Sequence, residues 1–174
     1  MPASSNSIIL WAGGVTVAWV LWRAANLKRI AVIPRPDQIM ALFERAPAGK
    51  IHMLNLIKFR AAALYEDGRA STLTGAQAYD LYDASNRTLI GKHGGRVIFS
   101  GDANTLVIGP GAQPEFDRVV LFEFPSMEAY NDIAGSSVEL QKENGFQDHQ
   151  FAGIAFQQLI HCNSTTEEPG EDAD

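Results

Sequence analysis

Apolar and polar positions form short blocks along this chain, and the block from Ile51 to Phe59 is the most informative. It reads Ile-His-Met-Leu-Asn-Leu-Ile-Lys-Phe and precedes a glycine-containing loop. A short run so dense in apolar residues predicts a strand buried on both faces. Asn55 interrupts this run, and a buried polar side chain without a partner costs about 1–3 kcal/mol. We therefore expect the folded domain to pack around this strand.

Apolar residues then recur at spacings of three and four. This pattern predicts a helix from Gly75 to Lys92, with Thr74 as its N-cap and Gly94-Gly95 as its C-terminal stop. Ser126 is the expected cap of a second helix over residues 127–133. Glycine and serine at positions 135–137 predict a break in that helix, which resumes over residues 138–144.

Three further apolar segments predict the other strands. They cover residues 96–101 with a continuation at 105–108, residues 116–125, and residues 151–162. Before the first strand, Pro34 and Pro36 indicate an extended linker. Asp37 is then a plausible N-cap for a short helix ending at Ala46.

The order strand, helix, strand, strand, helix, strand predicts an α+β, ferredoxin-like β-α-β-β-α-β domain with an antiparallel sheet. Both helices would lie on one face, so the other face would be apolar and uncovered. A homodimer with two sheets packed face to face is the simplest closed solution, and a partner in a membrane complex is the alternative. The expected divisions are residues 1–33, 34–50, 51–162 and 163–174.

The N-terminal segment from Ile8 to Ala25 is long and apolar enough to cross a bilayer, with Trp11, Trp19 and Trp22 suited to its interfaces. A cleaved signal peptide and a buried or interfacial helix are the alternatives. No Lys or Arg precedes the segment, and the nearby basic residues lie at its C-terminal end or beyond it, namely Arg23, Lys28, Arg29 and Arg35. This asymmetry favours a single-pass membrane protein with a cytoplasmic domain.

Charge and cysteine content exclude several classes of function. The net charge is −6, but five acidic residues lie after Ser164 and the remainder is nearly neutral. Because the chain has no basic stripe, nucleic-acid binding is not expected. The single cysteine, Cys162, excludes an internal disulfide framework, and the four histidines lack the spacing of metal ligands. We expect no metal and no cofactor.

Several segments resemble the domain-of-unknown-function 1330 family of the dimeric α/β-barrel superfamily. They include His52-Met-Leu-Asn-Leu-Ile-Lys-Phe, Thr74-Gly-Ala-Gln-Ala-Tyr, Gly94-Gly-Arg-Val and Phe116-Asp-Arg-Val-Val-Leu-Phe-Glu-Phe-Pro-Ser. The resemblance implies a ferredoxin-like fold and a dimer. Two positions depart from the family pattern: Ser136-Ser-Val-Glu-Leu lacks a tyrosine, and Gln150 stands where the family commonly has Arg.

In the fold that the resemblance implies, the first and third strands are neighbours, so we expect Asn55 and Glu123 to lie close together. A carboxyl group buried there would have a raised pKa and could act as a general acid or base. The alternative interpretation is a hydrogen-bonded pair that fixes strand register or the dimer interface.

Four other residues are candidates for a site. His93 lies at a helix end, where it could reach a cavity mouth or remain a solvent-facing cap. Tyr79 and Tyr82 occupy adjacent helical turns and could line a pocket, although core packing also explains them. Arg96, beside two glycines, superficially suggests an anion site, but no glycine fingerprint accompanies it.

Two functional hypotheses follow. The first is a membrane-anchored, dimeric binding or accessory module of uncharacterised activity. The second, drawn from the resemblance, is a cofactor-independent enzyme of monooxygenase or isomerase type that acts on a small hydrophobic molecule. Asn55, Glu123 and His93 are its candidate catalytic residues, and Tyr79, Tyr82 and Arg96 are candidates for ligand binding.

Overall fold

The computed structural model describes residues 34–46 and 48–164. Its elements are, in chain order, α1 (Pro36–Arg45), β1 (Ile51–Phe59), α2 (Gly75–Lys92), β2 (Arg96–Asp102), β3 (Arg118–Phe124), α3 (Met127–Asn144), α4 (Asp148–Gly153) and β4 (Ile154–Cys162). Within these residues no helix has the length and apolar character needed to span a membrane. The predicted span at Ile8–Ala25 lies outside the described residues, and so does most of the predicted acidic tail.

The four strands form one antiparallel sheet in the order β2-β3-β1-β4. β1 is therefore central, as expected, with β3 and β4 on its two sides. This strand order and the position of the helices in the chain confirm the predicted α+β, ferredoxin-like arrangement.

The side chains of β1 alternate between two different environments because successive residues of a strand point to opposite faces. Ile51, Met53 and Ile57 are buried in a core with residues of α2 and α3. The intervening positions, including Leu54 and Leu56, are only half-buried. The expectation of burial on both faces of β1 is therefore wrong for the single chain, since the helices cover one face only.

The other face, called the open face below, carries an apolar patch made of half-buried or exposed side chains. The strand register aligns these side chains across the sheet. The patch comprises Leu54, Leu56, Phe99, Val119, Leu121 and Ile160.

Local signals define both ends of α2. The Thr74 side chain accepts a hydrogen bond from the backbone N–H of Gln77, and the Gln77 side chain accepts one from the N–H of Thr74. Gly94 follows the helix with φ of +75°, a left-handed conformation that favours glycine. The predicted bounds of this helix are confirmed.

The predicted break in the second long helix is wrong, since α3 runs without interruption from Met127 to Asn144. The Ser137 hydroxyl donates to the carbonyl of Ile133 at 2.8 Å, which satisfies the serine within the helix. Ile133 and Phe146 anchor this part of the chain in the core. Tertiary packing therefore outweighs the weak helix propensity of glycine and serine here.

Other boundaries also differ from the prediction. No strand forms at residues 105–108, where Val107 and Ile108 are 87% and 91% exposed. The short helix α4 was not predicted, and it takes the first residues assigned to the last strand. Arg35, rather than Asp37, is the N-cap of α1, and Asp37 pairs with the Arg35 guanidinium from the first turn.

Gly75 is required where β1, α2 and α4 meet. A Cβ at this position would lie 2.3 Å from the carbonyl oxygen of Arg60 and 2.5 Å from that of Gly153. Both contacts are with backbone, so neither partner can rotate away. Gly91, in the same helix, has open space around the position of its missing Cβ.

We therefore predict opposite effects for the same substitution at two positions of α2. Gly75→Ala should lower the free energy of unfolding by about 3 kcal/mol, because the methyl group overpacks a backbone contact. Gly91→Ala should raise it by about 0.5 kcal/mol through better helix propensity. Urea unfolding followed by circular dichroism measures both, and equal stability of the two variants would contradict the prediction.

Candidate functional site

A cavity of about 410 Å³ lies between the helix-covered face of the sheet and the helices. Its floor comes from β1, β3 and β4, and its walls come from α2, α3 and the segment around α4. The lining residues are Pro34, Met53, Asn55, Tyr79, Tyr82, Asn86, Ile90, Phe122, Phe124, Tyr130, Ile133, Ala134, Ser137, Gln147, Gln150, Phe151, Gln157 and Leu159.

Two simple periodicities bring these side chains together. On α2, Tyr79, Tyr82, Asn86 and Ile90 follow one another at spacings of three and four, which places them on one face of the helix. On the sheet, Asn55 lies between Val120 of β3 and Leu159 of β4 in the strand register, so the three share the face under the helices.

Asn55 is the most unusual residue of the cavity. It is only 7% exposed, and its Oδ1 atom has no hydrogen-bond partner among the described residues. Its neighbours in the register, Val120 and Leu159, have no side-chain donor to offer. A buried carbonyl oxygen left in this state costs about 1–3 kcal/mol, so this atom marks a place where an external donor would be stabilised.

Aromatic side chains form much of the cavity wall. The rings of Tyr79 and Tyr82 lie 5.6 Å apart between centroids, and that of Tyr82 lies 5.2 Å from Phe146. Burial raises the pKa of Tyr79, Tyr82 and Tyr130 above the ordinary value for a phenol. All three are therefore neutral at physiological pH, and each provides a flat apolar surface with one O–H group.

Carboxamides supply most of the remaining polar surface. Asn86 and Gln150 are buried, and they line the cavity together with Gln147 and Gln157. None of the described residues that line the cavity is Asp, Glu, Lys, Arg or His. Sequence reasoning singled out Gln150 only as a departure from the family pattern and missed the other three carboxamides, although Asn86 could have been found from its spacing of four residues from Tyr82.

Glu123 lies on the open face, away from the cavity. In the register it stands beside His52 and Arg96, and its carboxylate is 2.9 Å from Arg96 Nε and 3.2 Å from His52 Nε2. The hydrogen bond from Arg96 lowers the pKa of Glu123, and burial opposes this only in part. The expectations of a raised pKa and of proximity to Asn55 are both wrong. Val120 is the partner of Asn55 in the register, and Glu123 lies three positions further along β3. Because side chains alternate along a strand, two residues an odd number of positions apart point to opposite faces of the sheet.

The remaining candidates divide between the cavity and its surroundings. Tyr79 and Tyr82 line the cavity with Asn55. His93 is the C-cap residue of α2, partly exposed, with Nε2 3.4 Å from the Ser136 hydroxyl. Arg96 is exposed and engaged by Glu123. Three of the six candidates therefore converge on one site. In the described part of the chain, no group of three or more His, Cys, Asp or Glu side chains is arranged to hold a metal.

A known protein family matches the central part of the chain. The family model described as domain of unknown function DUF1330 matches residues 69–142, which include α2 and most of α3. No curated protein matches the chain.

Solved structures extend the similarity to most of the chain. The RPA0582 protein of unknown function from Rhodopseudomonas palustris is 26% identical with a TM-score of 0.65, over 78% of this chain and 98% of that chain. The methylated RPA0582 protein is 28% identical with a TM-score of 0.66, over 80% and 97%. An EthD-like protein from Ralstonia eutropha is 14% identical with a TM-score of 0.43, over 71% and 98%. The central part of the chain thus matches DUF1330, and its fold is similar to that of RPA0582.

Proposed function

We propose that this protein is a membrane-anchored, dimeric binding module that takes a small molecule into the cavity between its sheet and helices. The observation that carries the proposal is the buried Asn55 Oδ1, which lacks a partner among the described residues. A buried, unpartnered polar atom on a residue that lines a cavity is the expected signature of a ligand contact.

The size and lining of the cavity support the same proposal. About 410 Å³ lies within the usual range of small-molecule pockets, roughly 300–1,000 Å³. Such pockets are mainly apolar, with a few polar groups that orient the ligand. The rings of Tyr79, Tyr82 and Phe122 provide the apolar surface, and Asn55 and Asn86 provide the polar groups.

Binding is favoured over acid–base catalysis by the position of Glu123. Its carboxylate is engaged by Arg96 and His52 on the open face, and its lowered pKa keeps it ionised at neutral pH. The tyrosines of the cavity have raised pKa values, which makes them poor bases at the same pH. The groups that line the cavity are thus suited to holding a ligand.

Filling the cavity should abolish ligand binding. Leu159 lies at the rim and is 44% exposed, so Leu159→Trp can block the cavity without overpacking the core. We expect 2-naphthol, at ten times its dissociation constant, to raise the free energy of unfolding of the natural protein by about 1.4 kcal/mol. The Leu159→Trp variant should show no such increase in thermal unfolding.

Leu81→Trp is the matched control, because Leu81 is exposed on α2 and does not line the cavity. It should respond to 2-naphthol as the natural protein does. This control also corrects for any partition of the probe into lipid. An equal response in the Leu159 variant would refute the proposed site, and so would a natural protein that binds neither 2-naphthol nor any other planar bicyclic probe.

We further propose that the open face is covered by a second copy of this chain. Phe99 is 56% exposed and Ile160 is 40% exposed, and both stand beside the half-buried leucines of β1 and β3. A contiguous apolar patch of this kind favours association. The acidic Glu123 is paired within the same face by Arg96, so two copies meeting there would not repel one another.

A charge placed in the middle of the open face should separate the dimer. We expect Leu54→Glu to convert the full-length protein to a monomer in sedimentation equilibrium, because two buried carboxylates would face an apolar surface. Leu81→Glu, an identical change on the exposed side of α2, should leave the dimer intact. A natural protein that is monomeric at all concentrations would contradict the proposal.

The membrane anchor is proposed from the sequence alone. The segment from Ile8 to Ala25 has the length and apolar character of a single span. We expect the full-length chain to remain with membranes after an alkaline carbonate wash. Val17→Lys places a charge at the middle of the segment, and this variant should be released into the soluble fraction. Release of the natural chain by the same wash would contradict the anchor.

A further inference from the structure

We infer that the ligand of the cavity is a neutral, planar heterocycle with a lactam edge, in which a ring N–H stands beside a carbonyl oxygen. This inference rests on the proposal that the cavity holds a small molecule, and it names the chemical class of that molecule. It comes from three properties of the lining: its carboxamides, its lack of formal charge and its aromatic walls.

The carboxamides of the lining determine which hydrogen-bonding groups the ligand must carry. Asn55, Asn86, Gln147, Gln150 and Gln157 all line the cavity. Each carboxamide presents an acceptor oxygen and an NH₂ donor side by side. A lactam presents the complementary pair, so one carboxamide can form two parallel hydrogen bonds with it. Asn55 Oδ1 is buried and has no partner among the described residues, so it is the acceptor that a ring N–H would satisfy once the carboxamide turns toward the ligand.

The absence of charge from the described lining decides the ionisation state of the ligand. An ionised carboxylate, phosphate or ammonium group would have to leave water without a counter-charge, which is strongly unfavourable in an apolar site. Asp83, next to Tyr82 on α2, pairs with Arg87 through Oδ2 at 2.6 Å, and neither of these charged residues lines the cavity. A neutral amide avoids this penalty when its N–H group and its carbonyl oxygen both form hydrogen bonds with the protein.

The aromatic walls of the cavity favour a flat ligand. Tyr79 and Tyr82 on α2 face a cavity whose floor includes Phe122 and Phe124 of β3. Aromatic rings attract one another in offset-stacked and edge-to-face geometries. A flat ring system between these walls gains such contacts over its whole surface, whereas a branched aliphatic molecule does not.

Four compounds of nearly the same shape test the inference. They are 2-quinolone, which has the lactam edge, N-methyl-2-quinolone, which lacks the donor, quinoline, which lacks both the N–H and the carbonyl, and quinoline-2-carboxylate, which is charged. Calorimetric titration uses the full-length protein, purified without detergent or reconstituted in lipid nanodiscs. We expect 2-quinolone to bind at least about ten-fold more tightly than the other three, because a site built for a hydrogen-bonding group rejects analogues that lack it.

Asn55→Leu isolates the role of the carboxamide. It replaces a side chain of similar size in an apolar strand, and it should reduce the preference for 2-quinolone over quinoline to about three-fold or less. Asn131→Leu is the matched control, since Asn131 is exposed on α3 and does not line the cavity. This control should keep the full preference.

The outcomes separate this inference from the proposed function. Equal or tighter binding of quinoline or quinoline-2-carboxylate by the natural protein would overturn the lactam class, even if Asn55→Leu does not fold. A preference that Asn55→Leu leaves unchanged would also overturn it. In both cases the cavity would still bind small molecules. If none of the four compounds and no 2-naphthol binds, the proposed function itself fails.

Discussion

The two-residue period of the central strand controls the organisation of the domain. Because neighbouring side chains of β1 point in opposite directions, Asn55 faces the helices while His52, Leu54 and Leu56 face the other way. The sheet is four strands wide, and the helices of the described residues lie on one side of it. Every residue of β1 is thereby assigned either to the side under the helices or to the open face. No polar residue of this strand can therefore contact both sides of the sheet.

This division separates the two polar groups that the sequence places in apolar strands. Glu123 forms a polar row with His52 and Arg96 at one end of the open face, where the hydrogen bond from Arg96 lowers its pKa and keeps it ionised. Asn55 lies under the helices with apolar neighbours in the register. Two residues on adjacent strands can therefore act as a catalytic pair only if the register places both side chains on the same face of the sheet.

Local patterns predicted the bounds of α2 and β1, and nonlocal packing limited the rest. Thr74 and Gly94 act within one turn of α2, so its bounds could be read from the sequence. The continuity of α3 through Ser137 depends on core anchoring by Ile133 and Phe146, which no local pattern contains. The cavity is harder still to predict, since it is the space left when side chains from six elements and their connections fail to fill the interior. Of the described lining residues, Asn55, Tyr79, Tyr82 and Gln150 gave a signal in the sequence.

Asn55 places a buried polar atom where the described residues give it no hydrogen-bond partner, which lowers stability. This cost is the strongest reason to connect Asn55 with function. Leucine at this position would fill the same volume between Val120 and Leu159 without leaving a buried oxygen unsatisfied. Natural proteins depart from such local consistency mainly at functional or strained sites. No positive φ occurs at any described residue other than glycine, so backbone strain does not explain the position. A ligand that donates a hydrogen bond to Asn55 would remove this cost when it binds, and that relief would add to its affinity.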